Sequence, residues 1–204
     1  MTNRRFVLQV GAALGALSGL PKSVLAEHQL PPEFRRALER DPNAPVLGNP
    51  SGQSTLVEFF DYNCPFCRKV YPTLHGFISK NRDVRLVMRE WPVFGDGSVF
   101  AARAALASQA QGKYPAFHAA LMGMDQRAVE ATVLRVARGI GLNIARLRAD
   151  MASQAIAQHL DQSSRLASAM GLVGTPTFIA GSDSRFGAVS ERELSALVAA
   201  APLE

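Results

Sequence analysis

The sequence is poor in cysteine, since only Cys64 and Cys67 occur among its 204 residues. A bridge between cysteines two residues apart closes a loop too small to constrain the unfolded chain much, which excludes a structural disulfide framework. The pair indicates a redox centre instead. Zinc is the competing interpretation, but a structural zinc site needs four ligands and a catalytic site usually three. No spacing joins the four histidines to the pair, so we expect neither a metal nor another cofactor. We interpret the histidines as surface or helix-face residues: His28, His75, His118 and His159.

The net positive charge is also small once the N-terminus is set aside. The net charge is +5, and three of these charges come from Arg4, Arg5 and Lys22 in residues 1–26, which hold no acid. The remaining +2 is too mild to indicate a nucleic-acid partner. The sequence also has no basic run and no aromatic-interleaved basic patch, so nucleic-acid binding is not predicted.

Long apolar runs are absent as well, and none reaches the ~20 residues that a membrane span needs. Residues 1–26 instead have the layout of a secretory signal peptide, with a basic start, an apolar middle and a small residue, Ala26, before the predicted cleavage. Asn3-Arg-Arg-Phe-Val-Leu8 also resembles a twin-arginine export signal, which we favour over the Sec route although Gln9 stands where such signals often have lysine. The prediction is export to a compartment where disulfide chemistry can proceed. An uncleaved membrane anchor is the alternative.

Cys64 is predicted to lie at the start of a helix. Thr55–Phe60 is rich in β-branched and aromatic residues and predicts a strand. Proline is favoured at the first helical position, so Pro65 predicts a helix that runs to about Lys80. A thiol at a helix N-terminus faces unpaired backbone N–H groups and the positive end of the dipole, which favours the thiolate. We therefore predict that Cys64 is the reactive sulfur and that the more shielded Cys67 resolves the mixed disulfide.

The chain around this helix predicts an α/β domain over residues 53–204, preceded by a short helix and a turn-rich connector with one edge strand over residues 27–52. Asp83–Arg89 alternates apolar and charged residues, so it predicts a second strand, parallel to the first because a helix separates the two. Helical periodicity then continues over about residues 97–171.

Four helices are predicted in that insertion, the first capped by Ser98 and the last running from Asn143 towards Met170. Strand character returns after the insertion. Thr177–Ala180 and a short strand around Phe186 predict a hairpin, and a helix capped by Ser190 closes the chain.

This order of elements, with a Gly174-Thr-Pro176 loop after the helical insertion, resembles the DsbA family of thioredoxin-fold oxidoreductases over roughly residues 45–200. Asp61-Tyr-Asn-Cys-Pro-Phe-Cys67 is most similar to the Com1/ScsC-like branch. The fold class that the resemblance implies is α/β, a thioredoxin fold with an inserted helical domain.

The resemblance also implies functional positions beyond the cysteines. Thr175 and Pro176 match the family's cis-proline loop, which lies beside the cysteines and presents backbone groups to an extended substrate segment. Pro65 and Phe66, between the cysteines, are assigned to the same binding surface. Glu58 falls where the family carries a buried acid, which could relay the proton of Cys67. A solvent-facing strand residue is the alternative interpretation of Glu58.

We therefore predict a periplasmic thiol–disulfide oxidoreductase that forms or rearranges disulfides in cysteine-containing exported proteins through a Cys64–Cys67 disulfide. A membrane partner would reoxidise the pair (DsbB-like) or reduce it (DsbD-like). The direction stays open, because Phe66 stands where the best-known strong oxidants carry histidine and offers the thiolate no hydrogen-bond donor. A glutaredoxin-like reductase and a holdase without redox chemistry are the alternatives. No oligomeric state is predicted.

Overall fold

The computed structural model describes residues 30–201. The predicted signal peptide, its twin-arginine pattern and His28 lie outside the described residues. Within the described part of the chain, no helix combines the length and the apolar character needed to cross a membrane.

Residues 30–201 form a five-stranded mixed sheet with the strand order β1-β3-β2-β4-β5. The strands are β1 (Val46–Gly48), β2 (Ser54–Phe60), β3 (Val84–Glu90), β4 (Thr177–Ala180) and β5 (Asp183–Phe186). β2 and β3 pair in parallel, whereas β1 with β3, β2 with β4 and β4 with β5 pair antiparallel. The structure thus confirms the edge strand, the parallel βαβ unit and the C-terminal hairpin.

Helices cover both faces of this sheet. They are α1 (Pro32–Glu39), α2 (Pro65–Lys80), α3 (Asp96–Ala107), α4 (Tyr114–Met122), α5 (Glu130–Gly139), α6 (Ile144–Asp150), α7 (Gln154–Ala169) and α8 (Glu191–Ala200). The predicted cysteine helix and final helix are confirmed. So is the Ser190 cap, whose hydroxyl oxygen accepts the Glu193 backbone N–H.

Two predictions within the helical insertion are wrong. The helix predicted to continue from Asn143 towards Met170 is divided into α6 and α7, because the Ser153 side chain accepts the Ile156 backbone N–H and starts a new helix. Ser98 does not cap α3, whose N-cap position is Gly95. Its hydroxyl donates to the Asp61 carboxylate instead.

The strand β2 is buried on both faces, and its alternation places Glu58. Val57 and Phe59 belong to a hydrophobic cluster that includes Leu38 of α1 and Leu166 of α7. The neighbouring positions Leu56 and Phe60 belong to the cluster on the other face, with Val70, Leu74 and Phe77 of α2. Because side chains alternate along a strand, Glu58 shares the face that α2 covers.

Candidate active site

Cys64 is held at the N-terminus of α2 by a tight turn after β2. The Cys64 backbone N–H donates to the Asp61 carbonyl oxygen at 3.1 Å. Cys64 is the N-cap residue, in extended conformation, and Pro65 occupies the first turn. The sulfur therefore lies where the free backbone N–H groups of the helix point, as the sequence predicts.

The two sulfurs have opposite acidities. The pKa of Cys64 is lowered from 9.0 to about 6, although burial opposes this shift. The largest cause is a hydrogen bond that the Cys67 thiol donates to Cys64. Hydrogen bonds from the Thr175 side chain and from the backbone N–H groups of Cys67 and Phe66 contribute as well. Burial raises the pKa of Cys67 far above its usual range, and the hydrogen bond to Cys64 and the charge of Glu58 add to this. Cys64 is thus a thiolate near neutral pH while Cys67 keeps its proton.

Both cysteines are fully buried and present as free thiols. The expected greater shielding of Cys67 is therefore not seen in exposed surface. Burial is the largest cause of the raised Cys67 pKa, and the shared hydrogen bond, which Cys67 donates and Cys64 accepts, separates the acidities of the two sulfurs further.

Glu58 is buried beneath the pair. Burial, with smaller contributions from the negative charges of Cys64 and Glu90, raises its pKa from 4.5 to about 8. A carboxyl group with this pKa exchanges a proton near neutral pH, which is the property required of a general acid or base. The alternative of a solvent-facing strand residue is wrong, because Glu58 is only 2% exposed.

The loop before β4 completes the site. Phe59 of β2 pairs with Thr177 of β4, so the end of β2 and the residues just before β4 lie at the same edge of the sheet. The sulfur of Cys64 lies 3.2 Å from the Thr175 carbonyl oxygen. The Thr175–Pro176 peptide bond is cis, as the resemblance implies. The buried Thr175 hydroxyl has no protein partner among the described residues other than the sulfur, so it can donate to the thiolate.

Exposed apolar side chains surround the buried sulfurs. Phe66 between the cysteines is 57% exposed, Val173 before the proline loop 82% and Phe186 of β5 58%. Phe186 lies against Gly174, where a Cβ atom would come within 3.2 Å of the ring. Exposed apolar side chains concentrated around a reactive group are typical of a binding surface.

The structure therefore brings together the residues that the sequence singles out. Cys64, Cys67, Glu58 and Thr175 interact directly, and Pro65, Phe66 and Pro176 are their neighbours in the chain.

The histidine interpretation is wrong for two residues. His118 and His159 are buried. Tyr62 lies 3.0 Å from the His118 ring, and two carboxylates contact His159. Sequence reasoning also missed Arg68, whose guanidinium donates to the carbonyl oxygens of Tyr62, Met124 and Gln126.

Asp61 and Asn63 were missed as well. Both are residues that typically form hydrogen-bonded turns, and their position just before Cys64 is the signal that would have identified them. Their contacts with the helical insertion are described below.

The geometry agrees with what this chain is similar to. A thioredoxin-like oxidoreductase from Silicibacter pomeroyi DSS-3 is 50% identical, with a TM-score of 0.79 over 81% of this chain and 95% of that chain. A periplasmic thioredoxin-like protein from Salmonella enterica serovar Typhimurium is 29% identical, with a TM-score of 0.76 over 84% and 97% of the two chains. The catalytic domain of Proteus mirabilis ScsC is 25% identical, with a TM-score of 0.74 over 82% and 93%.

Curated relatives include the Na(+)/H(+) antiporter NhaA 3 of Salinispora tropica, 29% identical over 158 residues. That similarity covers 76% of this chain, and the chain spans about a quarter of the antiporter's length. Residues 55–199 match the DSBA-like thioredoxin domain, a match that contains the cysteine pair, the buried glutamate and the proline loop. This chain belongs to the DSBA-like thioredoxin domain family.

Proposed function

We propose that this protein is a periplasmic thiol–disulfide oxidoreductase that acts on the cysteines of exported proteins. Cys64 forms the mixed disulfide with substrate, Cys67 resolves it, and Glu58 exchanges the proton of Cys67. Thr175, Pro176, Pro65 and Phe66 bind the substrate segment around its cysteine.

The observation that carries this proposal is the opposite acidity of two adjacent sulfurs. The pKa of about 6 makes Cys64 a stable anion and hence a good leaving group, whereas Cys67 is protonated in the reduced protein. A structural disulfide needs no such difference. A redox pair needs it, because one sulfur must leave readily and the other must attack only after losing a proton.

In the oxidising direction, a substrate thiolate attacks the Cys64 sulfur of the Cys64–Cys67 disulfide. That bond breaks, Cys67 leaves with the electron pair, and Glu58 gives it a proton. A second substrate thiolate then attacks the substrate sulfur of the mixed disulfide, and Cys64 leaves as the thiolate. Two electrons pass from the substrate to the pair. The reducing direction uses the same steps reversed, with Glu58 accepting the proton of Cys67. In isomerisation the Cys64 thiolate attacks a substrate disulfide and a different substrate thiolate then attacks the substrate sulfur of the mixed disulfide, so Cys64 leaves again as the thiolate and no electrons are transferred overall.

Substrate binding is proposed at the exposed apolar surface formed by Phe66, Val173 and Phe186. Unfolded exported proteins present apolar side chains beside their cysteines, and the backbone of residues 174–176 offers main-chain hydrogen bonds to an extended segment. Such bonds give affinity without demanding a particular sequence. This suits an enzyme with many substrates.

The cellular setting follows from the same chemistry. The predicted signal peptide, cleaved after Ala26, would deliver the chain to the periplasm, and one structural relative is described as a periplasmic thioredoxin-like protein. Turnover requires a partner that restores the pair, either a DsbB-like membrane protein that accepts two electrons or a DsbD-like one that supplies them.

Serine substitutions of the two cysteines test the proposal. We expect Cys64→Ser to abolish catalysed oxidation of a dithiol peptide by oxidised glutathione, and Cys67→Ser to accumulate a mixed disulfide at Cys64, detectable by mass. A double variant with undiminished activity in cells would instead support the holdase alternative. Titration against glutathione then assigns the direction, since a potential near the thioredoxin value of about −270 mV contradicts a role as oxidant.

A further inference from the structure

The Asp61 carboxylate lies three residues before Cys64 and is buried, yet it is not part of the chemistry described above. Its Oδ1 accepts the Asn63 backbone N–H at 2.6 Å and the Ser98 hydroxyl at 2.7 Å. Its Oδ2 accepts the backbone N–H groups of Val93 at 2.7 Å and Phe94 at 3.0 Å. Four donors from three separate parts of the chain therefore converge on one carboxylate.

Asn63, adjacent to Cys64, makes a second set of contacts. Its side-chain amide donates to the Ala128 carbonyl oxygen at 2.9 Å and to the Ser98 hydroxyl at 3.0 Å, and its Oδ1 accepts the Ala128 backbone N–H at 2.7 Å. The contact is close, because a Cβ atom at Gly97 would lie 2.3 Å from the Ala128 carbonyl oxygen. Ser98 links the two sets, since it donates to Asp61 and accepts from Asn63.

These contacts attach two chain segments to the turn that carries Cys64. One comprises residues 92–95, between β3 and α3, and the other residues 126–129, between α4 and α5. We call them the flanking segments. Each carries apolar side chains that remain exposed, namely Val93 and Phe94 on the first and Val129 on the second.

The hydrogen bonds hold the backbone of the flanking segments, not their side chains. A purely structural attachment would be expected to bury Val93, Phe94 and Val129, since burial of apolar side chains stabilises a fold. Here the Asp61 carboxylate holds the backbone of the first segment and the Asn63 side-chain amide holds that of the second, while the apolar groups face outward. Bonds to a charged acceptor are among the stronger ones in proteins.

We propose that Asp61 and Asn63 are positioning residues that hold the flanking segments beside Cys64, and that Val93, Phe94 and Val129 bind the apolar side chains next to the substrate cysteine. The inference rests on the proposed function and names the substrate class, peptides with apolar residues flanking the cysteine. Asp61 acts on substrate binding through the backbone of the first segment, and Asn63 through that of the second.

The test is peptide oxidation by the full mature chain, with oxidised glutathione as terminal oxidant. One dithiol peptide carries leucine and phenylalanine beside its cysteines, and a second carries serine at those positions. For Asp61→Asn we expect KM for the apolar peptide to rise at least tenfold. We expect kcat, and the rate at which dithiothreitol reduces the oxidised protein, to change less than twofold.

Asp83→Asn is the matched control. Asp83 also accepts a backbone N–H, that of Gln53, but it lies at the start of β3, at the opposite end of the sheet from Cys64. KM should be unchanged in this variant. A double variant that carries Phe94→Ser and Val129→Ser is a second test, and it leaves the core intact because both side chains are exposed. In this variant KM for the apolar peptide should rise as in Asp61→Asn, while KM for the serine peptide stays constant.

Two results would overturn the inference. An unchanged KM for the apolar peptide in Asp61→Asn, or in the Phe94→Ser and Val129→Ser variant, means that the flanking segments do not bind substrate. A parallel fall of peptide turnover and dithiothreitol reduction means that Asp61 acts on the sulfurs or the fold. Failure of the proposed function itself looks different, since the wild-type protein would then oxidise neither peptide.

Discussion

Two buried acidic clusters lie on neighbouring strands, and their surroundings are opposite. The thiol cluster consists of Glu58 on β2 with Cys64 and Cys67. The ion cluster consists of Asp41, Arg89, Glu90 and His159. Arg89 and Glu90 are the last two residues of β3. Glu58 is 2% exposed and Glu90 is 1% exposed, so burial alone does not distinguish them.

In the ion cluster every acid faces a donor or a cation. Asp41 is 2.7 Å from the Arg89 guanidinium and 3.0 Å from His159. Glu90 accepts the Tyr114 hydroxyl at 2.6 Å and lies 2.9 Å from His159. Burial alone would raise the pKa of Asp41, but the hydrogen bonds from His159 and Asn43 and the charge of Arg89 lower it. Burial would lower the pKa of His159, but its bonds to Asp41 and Glu90 raise it.

In the thiol cluster the neighbouring charges have the same sign. Burial is the largest cause of the raised Glu58 pKa. The negative charges of Cys64 and Glu90 also oppose the ionisation of Glu58. The comparison shows that the pKa of a shielded acid stays low where its neighbours are cations and hydrogen-bond donors, as at Asp41, and rises where its neighbours are anions, as at Glu58. The first arrangement anchors α1, and the second supports proton exchange.

The largest effect is expected from breaking the ion cluster. Arg89 also donates to the carbonyl oxygens of Ala37 and Leu38 at the end of α1, so Arg89→Met leaves these and the Asp41 carboxylate buried without the guanidinium. We expect a loss of about 3–5 kcal/mol in the free energy of unfolding, measured by urea titration.

Arg148→Met is the control for this experiment. Arg148 forms an ion pair with Glu130 in which both side chains are about half exposed, so its loss should cost no more than about 1 kcal/mol. Equal losses in the two variants would contradict the distinction between buried and exposed pairs.

The next effect concerns the bond between the sulfurs. Cys67→Ala removes the donor that contributes most to the low pKa of Cys64, whereas Cys67→Ser keeps a hydroxyl donor at that position. Since a bond to a charged group contributes roughly 1.5–3 kcal/mol, the alanine variant should raise the pKa of Cys64 by about 1–2 units. The pH dependence of Cys64 alkylation by iodoacetamide measures this. Identical midpoints in the alanine and serine variants would refute the role of the Cys67 proton.

Local signals were sufficient for the two cysteines of the thiol cluster. The β-branched residues of β2, the proline after Cys64 and the Cys-x-x-Cys spacing predict a strand, a helix start and a redox pair without knowledge of distant residues. The resemblance supplied what spacing does not, namely the cis peptide at Pro176 and the buried acid at Glu58.

The ion cluster was not predicted, because its partners are distant in the chain. His159 and Asp41 are 118 residues apart, and an isolated histidine on an amphipathic helix gives no sign of a buried carboxylate. The break between α6 and α7 had a local signal that was missed, since Ser153 is of the residue type that typically caps a helix. Ser98 is a typical capping residue, but it lies inside α3 and donates to Asp61, an arrangement that only the tertiary fold determines.

The smallest effect is a pH dependence that separates the two clusters. The pKa of Glu58 is raised from 4.5 to about 8, so the folded state keeps a proton that the unfolded state releases. Its contribution to stability is complete below pH 4.5 and is lost as the pH rises towards 8, by about 1.4 kcal/mol per unit. The Cys64 thiol acts in the opposite sense between pH 6 and 9, so the window from pH 4.5 to 6 isolates Glu58.

Urea titrations of the reduced protein across this window provide the measurement. The stability of the wild type relative to Glu58→Gln should fall by about 2 kcal/mol from pH 4.5 to 6. His159→Gln is the contrasting variant from the ion cluster. Because the pKa of His159 is raised from 6.5, it is protonated in both states within this window, and its difference from the wild type should be constant there and decrease only above pH 6.5. A constant difference for Glu58→Gln would mean that Glu58 ionises normally under the cysteines and cannot exchange the proton of Cys67 near neutral pH.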